Sequence, residues 1–189
     1  MSETLGAYVS ISELEHELVL SYWPERFALQ WSQCGRIPDV VAVYLASIGD
    51  GAFTAAYLRA TVGYLLNELV ENSVKFHVAG AIRIRVGFHD EEVVLVVTNQ
   101  VTKEQKPALA EQFAELLQGD PEELFLAKVE GDEDPAGQSA RDDSRLGLLS
   151  MMVDYQARLG WNFAPVANDD DKLWMQTMVR VPHRADQGN

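Results

Sequence analysis

Three side chains set four and three residues apart, Glu68, Asn72 and Lys75, lie in the run Asn67-Glu68-Leu69-Val70-Glu71-Asn72-Ser73-Val74-Lys75-Phe76. On a helix turning about 100° per residue, those spacings put them at neighbouring points of one face. That face is opposite the apolar stripe of the same run. A carboxylate, an amide and an amine then share a site. Phosphate transfer from ATP needs a base or orienting carboxylate, an oxygen ligand for magnesium and a cation for phosphate charge, and these residues supply one of each. The same spacing also describes a solvated helix face carrying a Glu71–Lys75 ion pair.

The element that must position them is the clearest helix in the sequence. From Gly51 the chain reads as one long amphipathic segment, with Leu58, Val62, Leu65, Leu66, Leu69, Val70 and Val74 recurring at spacings of three and four. Strands are predicted over 81–88 and 92–98, the first alternating Ile82, Ile84 and Val86 with Arg83 and Arg85, with His89-Asp90-Glu91 as the turn between them. Amphipathic helices are predicted over 103–118 and 121–129, the second with Pro121 suited to its first turn. Residues 130–143 are acidic, contain Gly131, Pro135 and Gly137, and read as a mobile loop. A helix is then expected over 145–160, with Leu148, Leu149, Met152, Val153, Tyr155 and Leu159 inward and Gly160 ending it. Strands over 161–166 and 172–181 follow, joined at Asn168-Asp169-Asp170-Asp171.

Before the long helix, residues 8–22 alternate loosely and predict one or two strands, and short helices are expected over 24–35 and 38–47. The order of elements predicts an α/β two-layer sandwich, with helices on one face of a mostly antiparallel sheet. At 189 residues and 47% hydrophobic content, one domain over 1–189 is expected.

Composition narrows the function. A formal charge of −14, from 29 acidic and 15 basic residues, opposes a nucleic-acid backbone as partner, because no basic cluster is available to release counterions. No apolar run approaches the roughly 20 residues of a membrane span, and the first residues lack the pattern of a secretory signal, so a cytoplasmic protein without a membrane partner is expected. The single cysteine, Cys34, rules out an internal disulfide.

The segment around Glu68 and Asn72 resembles the N-box of the GHKL (histidine kinase-like) ATPase superfamily, in which a glutamate four residues before a magnesium-binding asparagine is typical. The resemblance implies Glu68 as the base, Asn72 as the magnesium ligand and Lys75 as a contact to phosphate oxygens. The run Ser144-Arg145-Leu146-Gly147-Leu148 resembles the G2 box of that superfamily, a Gly-x-Gly-Leu that opens a helix after the ATP lid. Gly147 and Leu148 match, and Arg145 stands in the place of the first glycine. Either the loop has another shape, or Arg145 itself reaches the phosphates as a cation. Where the superfamily carries Asp-x-Gly-x-Gly, this chain reads Val96-Val97-Thr98-Asn99-Gln100-Val101, so Asn99 takes the place of the adenine-reading aspartate and both glycines are absent. An asparagine carbonyl can still accept the adenine amino proton.

The resemblance spans about residues 64–163, and within the superfamily it is closest in pattern to stand-alone bacterial regulators related to anti-sigma-factor serine kinases. It implies a Bergerat-type fold with a mostly antiparallel mixed sheet. In that layout an ATPase-like core over 51–182 follows an unmatched part over 1–50, and the acidic lid lies at 130–143. It further implies ATP and Mg2+ as cofactors and a serine/threonine kinase or partner-switching role. The implied partner is a small regulatory protein, a STAS-type antagonist or a response-regulator-linked protein; a homodimer is left open. The alternative is a degenerate module that regulates by protein binding only.

Overall fold

The computed structural model describes the backbone of residues 2–24, 37–48, 55–131 and 140–182, and the side chains within these ranges outside 55–57, 130–131 and 140–143. In chain order the elements are β1 (Glu3–Gly6), a single 3-10 turn (Ile11–Glu13), β2 (Glu15–Tyr22), α1 (Ile37–Ile48) and α2 (Ala55–Phe76). They continue as β3 (Ile82–His89), β4 (Glu92–Thr102), α3 (Lys106–Gln118), α4 (Pro121–Gly131), α5 (Ala140–Asp154), β5 (Arg158–Val166) and β6 (Asp169–Pro182). The expected helix over 24–35, apart from Pro24, and most of the acidic stretch lie outside the described residues. The ends of that stretch are helical, since 130–131 close α4 and 140–143 open α5.

The strands form one sheet in the order β1-β5-β6-β4-β3-β2, and every neighbouring pair is antiparallel. The expectation of a mixed sheet is therefore corrected. Two hairpins, β3–β4 and β5–β6, supply the four central strands, and hairpins pair antiparallel by construction. On β4 the valines and leucines serve both faces. Val93, Leu95, Val97 and Val101 join the main core, where α2 contributes Leu58, Val62, Leu65, Leu66 and Leu69. Val94 and Val96 point the other way and meet Met178 of β6.

That second face is covered by the segment linking β1 to β2. These strands occupy opposite edges, so the link must cross the sheet, and Tyr8, Val9, Ile11 and Leu14 pack on Val94, Val96 and Met178 as it does. The strand expected from residue 8 thus begins only at Glu15. Its loose alternation marks a strap with one side against the sheet. The Tyr8 hydroxyl donates to Gln176 Oε1 at 2.5 Å, and Gly160 leaves the strap room, since a Cβ there would lie 2.7 Å from Tyr8 Cα.

Local chemistry explains the other shifted boundaries. Thr102 and Gln105 exchange bonds in a capping box, Gln105 N to Thr102 Oγ1 at 3.1 Å and Thr102 N to Gln105 Oε1 at 2.8 Å, and α3 starts just after it. Asp120 caps α4, its Oδ1 accepting from the backbone N–H of Glu122 and Glu123 at 3.0 Å each. Helix α5 ends at Asp154 and not at Gly160: Gln156 adopts a left-handed φ of 52°, and the N–H groups of Tyr155 and Ala157 both return to Met151 O. Leu159 and Gly160 belong to β5. The last turn is Ala167-Asn168, with Asn168 at φ 60°, so Asp169 to Asp171 already lie in β6.

Candidate functional site

Helix α2 buries one stripe in the core, and along its flank runs a row at i, i+4, i+8 and i+11: Tyr64, Glu68, Asn72 and Lys75. Glu68 and Asn72 are half-buried and Lys75 is exposed. They do not project into solvent opposite the apolar stripe, because α5 packs along this flank in the antiparallel sense. Tyr64 stacks on Tyr155 with ring centroids 5.2 Å apart, Glu68 lies against Gly147, and Lys75 Nζ donates to Ser144 Oγ at 3.4 Å. A Cβ at 147 would overlap Glu68 Oε2 and come within 2.9 Å of Cδ. Only glycine lets the carboxyl seat there.

Gly147 consequently stands in the second turn of α5 and does not open the helix, contrary to the G2-box expectation. Its backbone N–H is inside the helix, where the i→i−4 pattern uses it, and is not presented to a phosphate. Leu148 is buried beside it and lines the cleft described below. Arg145 points away from the α2 row, to Glu115 on α3, with Nη1–Oε2 at 2.9 Å.

Burial pushes the Glu68 carboxyl above the usual glutamate range, the charge of Glu71 adds to the rise, and Lys75 opposes it. A carboxylate held this way is a stronger base than a solvated one. Burial likewise raises the Tyr64 hydroxyl, with a hydrogen bond to Ser150 pulling it back and the nearby Glu68 charge adding to the rise.

Beside Asn72 opens a cleft of about 270 Å³, counting the space at its open mouth. Asn72 and Phe76 of α2, Gln112 and Phe113 of α3, and Ser144 and Leu148 of α5 form its walls, and Trp161, Met175 and Thr177 come from the sheet. Phe113 stacks on Trp161 at 4.1 Å and 9°, which stiffens the aromatic side. Asn72 Nδ2 and Trp161 Nε1 are buried and have no hydrogen-bond partner among the described residues.

Asn99 is fully buried, and both its Nδ2 and its Oδ1 lack a partner among the described residues. On β4 it shares the helix-facing side with Val97 and Val101, and its cross-strand neighbour is Met175, which lines the cleft. An orphaned amide in the core costs about 1–3 kcal/mol per unmet group, so its presence asks for a ligand or a water. The sequence pattern gave no site role to Tyr64, Gln112, Ser144, Trp161 or Thr177, although Gln112 and Ser144 lie within the segments that resemble the superfamily. Tyr64 extends the row by one helical step and was legible from spacing, whereas the others come from elements far apart in sequence.

Among the described residues, no group of three or more His, Cys, Asp or Glu side chains is arranged to hold a metal ion. Also among them, no helix is long and apolar enough to cross a membrane.

No protein-family model matches the chain, and no curated protein matches it in sequence. Its fold is similar to that of a chain in the crystal structure of the SiaB-SiaC complex from Pseudomonas aeruginosa. The TM-score is 0.51 at 16% identity, over 83% of this chain and 95% of that one. At that identity the likeness concerns the fold alone, an α+β architecture with helices on one face of an antiparallel sheet.

Proposed function

We propose that this chain is a signalling regulator that binds a small partner protein and uses the cleft between α2, α5 and the sheet for Mg–ATP. The phosphoryl acceptor would be a serine or threonine of the partner, in the manner of the anti-sigma-factor serine kinases that the N-box resembles. The observation that carries the nucleotide part is the row Glu68-Asn72-Lys75, of which Asn72 lines a cleft, together with unpartnered amide groups at Asn72 and at Asn99, the neighbour of cleft-lining Met175. The likeness in fold to a chain solved in a complex of two proteins, SiaB and SiaC, supports the partner-binding part.

The residues present fit the cofactor chemically. A magnesium ion held largely by phosphate oxygens and water needs only one or two protein oxygens, and the Asn72 carbonyl can supply one. Bound Mg–ATP supplies the transferable phosphoryl group. Lys75 carries a charge suited to phosphate oxygens, and the raised Glu68 carboxyl can orient or deprotonate an incoming hydroxyl. The Asn99 amide offers both an acceptor and donors, which suits the edge of an adenine ring.

A second reading has its own support. Gly147 is engaged with Glu68 inside α5, and Asn99 replaces an aspartate, and both features favour a module that regulates by protein binding without transferring phosphate. Calorimetric titration with ATP, with and without magnesium, on the native chain and on Glu68→Ala and Asn72→Ala separates the two. The kinase reading expects magnesium-dependent binding that survives Glu68→Ala and weakens in Asn72→Ala. Absence of heat in all three proteins at millimolar nucleotide, with no rise in melting temperature, leaves the binding module.

A further inference from the structure

Helix α5 occupies the groups that the proposed nucleotide would use. Glu68 is seated on Gly147 and Lys75 is bonded to Ser144, so both groups are engaged with α5, and neither lines the cleft. A nucleoside triphosphate therefore requires the first turns of α5 to move. On the α3 side the Arg145–Glu115 ion pair joins them to α3, beside the buried Leu148 and Phe113. Ser144 and Leu148 of α5 and Gln112 and Phe113 of α3 line facing walls of the cleft, and Arg145 and Glu115 join the same two helices. Among the described residues, the backbones of α3 and α5 hardly approach each other, and side chains make the link.

We propose that Arg145 and Glu115 form a latch that holds α5 closed over the site, and that polyphosphate binding trades the Glu115 carboxylate for phosphate oxygens on Arg145. The inference rests on the nucleotide reading given above. It assigns Arg145 a place in both states: paired to a carboxylate when the cleft is shut, and paired to an anion of the ligand when it is open. Guanidinium suits this exchange, since carboxylate and phosphate present similar oxygen pairs to its planar donors. Glu115 has no other part in the site, and its side chain is about half exposed, so the exchange needs no buried charge to be stranded.

The test uses the full chain and Mg–ATP as probe, with Glu115→Gln, Arg145→Gln and the double variant. Hydrogen exchange of the 140–149 amides is read first without nucleotide. Releasing one half-exposed ion pair should speed exchange in Glu115→Gln and tighten Mg–ATP binding, each by no more than about fivefold. The gain in affinity should vanish when Arg145→Gln is added, because Arg145 is the group set free. A pair that is merely structural predicts the opposite sign, lower stability with equal or weaker affinity, and that result overturns the latch. Unchanged exchange in Glu115→Gln overturns it as well. Faster exchange with no nucleotide binding by any of the proteins instead overturns the nucleotide reading, and the ligand assigned to the latch with it.

Discussion

The Glu68 carboxyl of α2 rests on the backbone of Gly147 in α5, at a distance that no side chain at 147 would allow. The contact couples the residue best suited to act as a base to the helix that closes the cleft. It also predicts a particular pattern of stabilities. Alanine in a helix interior is favoured over glycine by about 1 kcal/mol, but at 147 its methyl would displace Glu68. Gly147→Ala should therefore gain little or lose stability in the native background and gain up to about 1 kcal/mol in Glu68→Ala. Denaturant unfolding of the four proteins measures the coupling, and strict additivity would show that the two residues do not touch in solution.

Stability should also depend on pH through Glu68. Its folded-state value is raised, first by burial and then by Glu71, so the folded chain holds this proton more tightly than the unfolded chain does. The stabilising contribution is then fully present below the unfolded value, near 4.5, and is lost as pH rises through the folded value. Glu68→Gln, which cannot ionise, should gain stability relative to the native chain as pH is raised from 4 to 7. Parallel stability–pH curves for the two proteins would contradict this.

Asn99 sets stability against ligand recognition. Leucine has the branched outline of asparagine, though it is larger, and has no donors or acceptors to leave unmet, so Asn99→Leu should stabilise the fold by up to about 1–3 kcal/mol, less the cost of fitting its bulkier methyls. If the amide reads an adenine edge, the same change should weaken ATP binding by about tenfold or more, while magnesium dependence persists. A melting-temperature series with ATP, GTP and no nucleotide gives both answers on one sample. Loss of stability in Asn99→Leu and also in the smaller Asn99→Val would mean that the amide already has a partner, such as a fixed water.

On the far face, Gly160→Ala tests the strap. The added methyl would lie 2.7 Å from Tyr8 Cα and 2.8 Å from Ala7 C, both backbone atoms that cannot swing aside. We expect a loss of about 1–3 kcal/mol, typical of overpacking, together with faster amide exchange over residues 7–14. Unaltered protection there would place the strap elsewhere in solution.

Local pattern carried much of the architecture. The stripe from Leu58 to Val70 determined α2, the alternation of Ile82, Ile84 and Val86 determined β3, and the valine-rich run after Glu92 marked β4, because each depends on residues a few positions apart. The spacing of Glu68, Asn72 and Lys75 was equally legible, since it follows from helical geometry alone. Tertiary structure decided what lies across from them. Whether the flank of α2 meets water or another helix depends on where α5 packs, some 70 residues later, and no local spacing encodes that. The order of the sheet, which sends residues 7–14 across its back, is likewise a matter of which edges β1 and β2 occupy. The end of α5 at Asp154 rather than Gly160 belongs to the same class, because pairing of Leu159 and Gly160 with Val179 and Met178 outweighs a continuing helical pattern. Residue periodicity specifies which side of an element is apolar; only the packed chain specifies which polar side chains are brought to one place.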